Sequence, residues 1–426
     1  MQTNERPNAS VGVRVLIFTL LAILAIEPAL LHWIHRTLDG YGQSFNDFHD
    51  YWLASKLVLR GQSPYDLDAL KALGQAEGRQ FVLGTGYSYL PPFAIVMIPF
   101  ALLPFDTAVL AFNGLSLVLF GLLVAGWLTW AHPQAGTLRK GLAALIAGAY
   151  PPVYGTVANG QANLVVLAPF AVGVALVLAG GRAKALIGGI AIGLAGVVKL
   201  VPATVALPQA VGRRWLAVAA TAAAFVGSVA LASFAVPVAA SGSSGLADLV
   251  SPDPYFTNQS INGFVTRAVR DSDRTKAIFA GAFDPLVVSL GLAAAFGLVN
   301  LWLLWRAREG LQTRTGLALG MALITAAAVA AAPKNAIWNE ALVLVAVGLL
   351  LIVLAPDLRL SRIDRLDRLL LGAWLLGVVV QTYFWEESRW LDDKNRTAVT
   401  LIQSAAFYGL LALWAVCARH VRRLRT

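Results

Sequence analysis

The chain has 426 residues, 58% of them hydrophobic and only 13% charged, with a mean hydropathy of +0.68 and a formal net charge of +10. Soluble domains carry about a quarter charged residues, so there is too little polar surface here to cover a water-soluble particle. The excess Lys and Arg sit in short clusters between apolar runs, which sets a nucleic-acid partner aside and reads as the charge bias that orients membrane proteins.

In lipid the backbone must be satisfied internally, as helices or a closed barrel, and continuous rather than alternating apolar runs favour helices. The first run, 15–34, follows Arg6 and Arg14 and is long for a signal peptide, so an uncleaved first helix is expected. Further full-length spans are expected at 107–129, 163–178, 215–236, 286–305, 316–332, 341–355, 369–383 and 398–416. Shorter runs at 92–103, 141–150, 185–198 and 203–211 are interrupted by Pro and Gly, as in half-helices that line a cavity. The expected fold is an all-α integral membrane protein, one transmembrane domain over 1–426 with about twelve crossings.

Basic clusters at Arg139/Lys140, Arg182/Lys184, Arg213/Arg214, Arg306 to Arg314, Arg359 to Arg368 and Arg419 to Arg425 read as cytoplasmic, as do both termini. Cys417, the single cysteine, lies beside the last of these and permits no intrachain disulfide. The segments left outside are 35–89, 239–284, 386–396 and the short turn 150–161. The expected location is the plasma (inner) membrane of a multi-pass protein, with its chemistry at the extracytoplasmic face.

Candidate residues cluster in those outer segments. Asp47, His49 and Asp50 open the first loop. Asp47 sits at the depth of lipid phosphates, where a carboxylate can serve as a general base or simply cap a helix. The stretch 51–59, with Trp52 and Lys56 one turn apart, suggests a helix lying along the interface. Lys199, in GVVKLVP, is a lysine inside apolar sequence and needs a partner. A phosphate suits its compact charge, and snorkelling is the plain alternative. Arg267 and Lys334 are further phosphate candidates. Glu340 enters an apolar run, where a carboxylate needs a cavity or a partner. Asn159, Gln161 and Asn258 place amides at the outer face, suited to sugar hydroxyls or to helix capping. With five His and no paired spacing, no metal site or other cofactor is indicated, although a divalent cation is left open. Walker A, dinucleotide-binding and G-x-S-x-G patterns do not occur.

Several segments together resemble glycosyltransferase family 87, polyprenyl-phosphate-sugar-dependent mannosyltransferases of the GT-C superfamily. They are DFHDYWLASKLVLRGQSPYD (47–66), YLPPFAIVMIPFALLP (89–104), NGQANLVVL (159–167), GLAGVVKLVP (193–202) and NQSINGFVTR (258–267). The resemblance implies a GT-C-type bundle that moves a sugar, commonly mannose, from a polyprenyl-phosphate donor to a glycolipid or glycan hydroxyl. It implies Asp47 as the catalytic base of an inverting transfer, Lys199 of the K-x-x-P motif as a phosphate contact, and Arg267 as a second. One departure is clear: where the family often has Trp-x-His, this chain reads Trp338-Asn339-Glu340. A secondary transporter and a non-catalytic polyprenyl-lipid binder are the alternatives.

Overall fold

The computed structural model describes residues 13, 16–20, 46–78, 86–237, 250–272, 277–384 and 396–424. Most of the expected first span, nearly all of 386–396 and parts of the two long outer loops fall outside the described residues. Within them the chain is helical with no strand, and one isolated antiparallel bridge joins Asn258 to Ala336.

The first long segment between expected spans folds, over its described part, into α1 (Asn46–Leu59) and α2 (Leu67–Ala76). Asp66 caps α2 by accepting from the N–H groups of Asp68 and Ala69. Two short helices follow, α3 (Pro91–Val96) and α4 (Ile98–Ala101), each with proline in its first turn. They are too short to cross a bilayer, as the interrupted sequence suggests. Next come α5 (Phe105–Ala131), α6 (Thr137–Gly148) and α7 (Pro151–Asn159), the last pair bent by 46° where the prolines enter. The middle of the chain forms α8 (Asn163–Ala179), α9 (Arg182–Val198), α10 (Leu200–Thr204), α11 (Ala206–Val211) and α12 (Trp215–Ala235). After α13 (Ile261–Val269), in the second outer loop, come α14 (Pro285–Arg306) and α15 (Arg314–Ala331). A 3-10 turn, Ile337–Leu342, feeds α16 (Val343–Leu354), and α17 (Arg365–Phe384), α18 (Arg396–Ile402) and α19 (Ala405–Arg422) complete the bundle.

Among the described residues five helical runs are long and apolar enough to cross a membrane: α5, α12, α14, α15 and 337–354. The bent α6–α7 pair makes six. The expected count of about twelve is not reached. At 17 residues, α8 and α9 are each about 25 Å long, short of a hydrocarbon core of about 30 Å. Charge at Arg365, Asp367 and Arg368 interrupts the start of α17, and the run expected at 398–416 is divided between α18 and α19.

Burial separates an inner layer from an outer one. In α15 78% of the apolar window is buried, against 17% in α14 and 22% in α12. The outer helices present Leu231, Phe234, Val287 and Leu298 to their surroundings, the composition of a lipid-facing surface. Close packing inside relies on small residues. A Cβ on Gly188 would lie 2.7 Å from the Gly173 carbonyl of α8, and one on Gly193 would lie 2.5 Å from the Thr221 carbonyl of α12. Glycine therefore lets α9 wedge between its two neighbours.

Helix α1 is enclosed by protein. Phe48, Tyr51, Trp52, Leu53, Ala54, Ser55 and Leu57 are all buried, and these positions encircle the helix. A helix apolar on every side needs protein on every side. Here the Trp52 indole N–H donates to the Leu103 carbonyl (3.1 Å) and the Ser55 hydroxyl donates to the Ala94 carbonyl (2.8 Å). Lys56 lies over the Trp52 ring one turn away and pairs with Glu77 at 2.6 Å.

Candidate active site

Burying α1 aims its first turn at the bundle. Asp47 and Tyr51, one turn apart, share a face. The Tyr51 hydroxyl is 2.7 Å from that of Tyr89 and donates to Gln161 Oε1 at 3.0 Å. Tyr89 also donates to Gln161 Oε1, at 3.1 Å. Lys199 Nζ donates to Tyr89 Oη (2.8 Å), Gln161 Oε1 (3.2 Å) and Asn339 Oδ1 (3.2 Å). Three separated parts of the chain thus converge on the Gln161 amide.

Local sequence explains each placement. Gly160 takes φ 62° and ends α7, its N–H bonding to the Val157 carbonyl, while the Gln161 N–H returns to the Thr156 carbonyl. This left-handed cap, easy for glycine, turns Gln161 back into the protein, where it is 4% exposed. Pro202 has no N–H to continue the α9 ladder onto the Val198 carbonyl, and its ring would clash there. The helix stops at Val198, and Lys199 is extended (φ −134°, ψ 128°) between α9 and α10. Asn339 is held by its own turn: the Trp338 carbonyl accepts from Asn163 Nδ2 (3.0 Å) and Thr156 Oγ1 (3.2 Å).

With its oxygen taking three donors, the Gln161 amide turns its N–H side toward the neighbourhood of Asp47, where it favours the carboxylate. Burial is the larger influence and raises the Asp47 pKa to about 6, while the Gln161 amide and the nearby Lys199 charge pull it down. Asp50 is buried, with one carboxylate oxygen lacking a hydrogen-bond partner, and burial together with the Asp47 charge raises its pKa well above the usual range. His49 is buried edge-on to Phe105. The arrangement offers a carboxylate poised near neutral pH and a cation whose acceptors are all neutral, with no carboxylate within ion-pair distance among the described residues.

Other sequence candidates lie elsewhere. Arg267 is fully buried and donates to the carbonyls of Tyr255 (3.0 Å) and Asn258 (2.9 Å) and to the Ser404 hydroxyl (3.0 and 3.2 Å). Asn258 accepts from Asn335 N–H and Ser260 Oγ and donates to the Asp253 carbonyl. Together they lock the second outer loop to 335–337, where Gln259 N–H bonds the Asn335 carbonyl (2.7 Å) and Ile337 N–H bonds that of Thr257 (2.9 Å). Among the described residues no hydrogen bond joins Asn258, Arg267 or the half-buried Lys334 to the Asp47–Lys199 cluster. The Asn159 amide donates to its own helix, at the Gly155 carbonyl (2.8 Å). Glu340 is fully buried near Tyr150, and neither of its oxygens has a hydrogen-bond partner. Tyr51, Tyr89 and Asn339 were not singled out as ligands by sequence reasoning. The i, i+4 spacing from Asp47 is the one local signal that points to Tyr51. No group of three His, Cys, Asp or Glu capable of holding a metal occurs among the described residues.

A helical membrane protein with an acid–lysine cluster on its loops, and no nucleotide-binding pattern, is suited to group transfer from a membrane-bound donor. The chain matches Glycosyltransferase family 87 over residues 87–382, more than half its length, and it belongs to that family. It is 29% identical over 325 residues, 74% of this chain and 72% of the relative, to the polyprenol-phosphate-mannose-dependent alpha-(1-2)-phosphatidylinositol pentamannoside mannosyltransferase of Mycolicibacterium smegmatis. No solved structure matches. The protein is a membrane hexosyltransferase, and the transporter and non-catalytic alternatives give way. The family match begins after Asp47 and includes Gln161, Lys199, Asn339 and Glu340.

Proposed function

We propose that this protein transfers mannose from a polyprenyl-phosphate donor to a hydroxyl of a membrane glycolipid or glycan, at the extracytoplasmic face of the plasma (inner) membrane. The observation that carries the reading is the nearness of the Asp47 carboxylate to the Lys199–Gln161 pair. Asp47 takes the proton of the acceptor hydroxyl as its oxygen attacks the anomeric carbon. The bond from that carbon to the phosphate oxygen breaks, its electron pair leaves with polyprenyl phosphate, and the anomeric configuration inverts. The Lys199 ammonium offsets the charge growing on the departing phosphate. Such a leaving group needs no proton, so a single carboxylate suffices where glycoside hydrolases employ two. In this reading both termini lie in the cytoplasm and the cluster outside, which the distribution of basic clusters supports. The relative's polyprenol-phosphate-mannose dependence supports the donor. Arg267, Asn258 and Lys334 hold or flank the loops around the site, and Glu340 in place of the usual His sits behind Asn339.

The test compares purified wild type with Asp47→Asn in detergent, following radiolabelled mannose from polyprenyl-phosphate-mannose into a membrane-lipid extract. Loss of about 10²–10⁴ in rate at an unchanged melting temperature is the expected result. Transfer surviving in the variant removes Asp47 from the mechanism. Absence of transfer by wild type, with transfer from an arabinose donor, moves the proposal to another sugar.

A further inference from the structure

A second cavity lies apart from the Asp47–Lys199 cluster and shares no lining residue with it. It has a volume of about 390 Å³, within the range of small-molecule sites. Its walls come from α5, α6, α8, α16 and α17 and are almost wholly apolar, with Leu123, Ile146, Leu167, Leu351 and Leu371 among them. From Arg139 to Tyr150, both at its lining, α6 and its C-terminal flank span 11 residues, about 17 Å. The space is therefore long enough for a hydrocarbon chain.

One end is polar and cationic. Arg139 lines the cavity there, donating to the Asp357 carbonyl at 2.6 Å. The Asp357 carboxylate is shared by three guanidinium groups: Arg139 at 3.7 Å, Arg359 at 3.2 Å and Arg362 at 3.4 Å. One carboxylate cannot neutralise three cations, so the group keeps a net charge of +2, and Arg359 and Arg362 are more than half exposed. Next to Arg359, Leu358 lines the cavity from a left-handed backbone (φ 58°), unusual for a bulky side chain. Trp127, four residues before the end of α5 on the same side, lines the cavity with an indole N–H that has no acceptor. An unpaired buried donor is costly, and the ester carbonyl of a glycerolipid would satisfy it.

We infer that this cavity binds an anionic glycerophospholipid from the leaflet on the basic side of the protein, with its phosphate at Arg139, Arg359 and Arg362 and one acyl chain between α6, α16 and α17. A zwitterionic lipid carries a cation that the arginines repel, and inorganic phosphate has no chain to fill the apolar space. Both parts of the site are needed.

The full-length protein in detergent is titrated with phosphatidylglycerol, with phosphatidylcholine of the same chains, and with inorganic phosphate, while its melting temperature is followed. Phosphatidylglycerol is expected to raise it in a saturable way, and the other two are expected to leave it near its starting value. Arg359→Ala/Arg362→Ala removes most of that rise, and the exposure of both side chains leaves the fold in place. Ala143→Phe, which fills the cavity, removes it as well. An equal rise with phosphatidylcholine overturns the proposal in favour of ordinary annular lipid, and an equal rise with inorganic phosphate reduces it to an anion site. Full retention of the response in the double arginine variant also overturns it.

Discussion

Two polar regions are built where helices meet loops, and they spend their cations in opposite ways. Around Arg267 the guanidinium meets two backbone carbonyls and one hydroxyl, all within the protein. Burial lowers its pKa only to about 10, so it stays charged at neutral pH. Around Lys199 the ammonium meets two side-chain amide oxygens and a phenol, with the Asp47 charge close by but beyond ion-pair distance. The first region closes a loop. The second holds a cation near an anion without pairing them. In such a chain, motif strength does not separate the two roles; what each donor faces does.

Exchange of these two cations is the sharpest way to break the comparison. Lys199→Met keeps the length of the side chain and removes the charge. Its transfer rate is expected to fall by about 10²–10³ with little change in melting temperature, because Gln161 Oε1 retains both tyrosine donors. Arg267→Met is expected to act the other way. Stranding the buried Asn258 carbonyl costs about 1–3 kcal/mol, seen as an earlier melting transition, while the protein that remains folded keeps most of its rate. If Lys199→Met lowers the melting temperature as much as Arg267→Met, the two regions are alike and the assignment of Lys199 to substrate fails.

The pH profile sharpens the same contrast. A base must be ionised, and burial raises the Asp47 pKa to about 6. Rate is therefore expected to rise with pH up to about 6 and to level off above it, and to fall about tenfold per unit below. Lys199 favours the Asp47 carboxylate, so its removal moves the limb of the remaining activity to higher pH. Rate profiles of wild type and Lys199→Met, each measured at saturating donor, check the direction. A limb that stays in place uncouples the two residues. Arg267→Met leaves it where it is.

Much of this was legible in the sequence, and the gaps have physical causes. Apolar runs at 107–129, 215–236 and 286–305 became α5, α12 and α14 within two residues at each end. The half-helix at 203–211 appeared as α10 and α11, because Pro202 and Pro208 interrupt the ladder. Hydropathy cannot distinguish lipid from a protein neighbour: α9, one of the expected short crossings, is packed on both sides by α8 and α12. Lys199 stood out as a charge in apolar sequence and Asp47 as a carboxylate just beyond the first expected span, whereas Tyr89 and Asn339 looked like ordinary interface residues. Their role arises only when α3 and the turn 337–342 are brought to Lys199, contacts made over 110 and 140 residues. Arg267 misled for the converse reason, since its carbonyl partners carry no signal in sequence.

The smallest expected effect concerns Asn159, two residues before Gln161 and equally suggestive of a sugar contact. Its amide bonds the Gly155 carbonyl of its own helix at 2.8 Å, so Asn159→Ala exchanges one half-buried local bond for better helix propensity near the end of α7. The two changes oppose each other, each on the order of 1 kcal/mol or less. Melting temperature and transfer rate are both expected to stay near wild type. Gln161→Ala, only two positions on, removes the acceptor that gathers Tyr51, Tyr89 and Lys199, and its rate should fall by a factor closer to that of Lys199→Met. Equal rate losses at 159 and 161 would mean that the whole turn binds substrate, and that the boundary drawn between the side chains facing the cluster and those facing their own helix is misplaced.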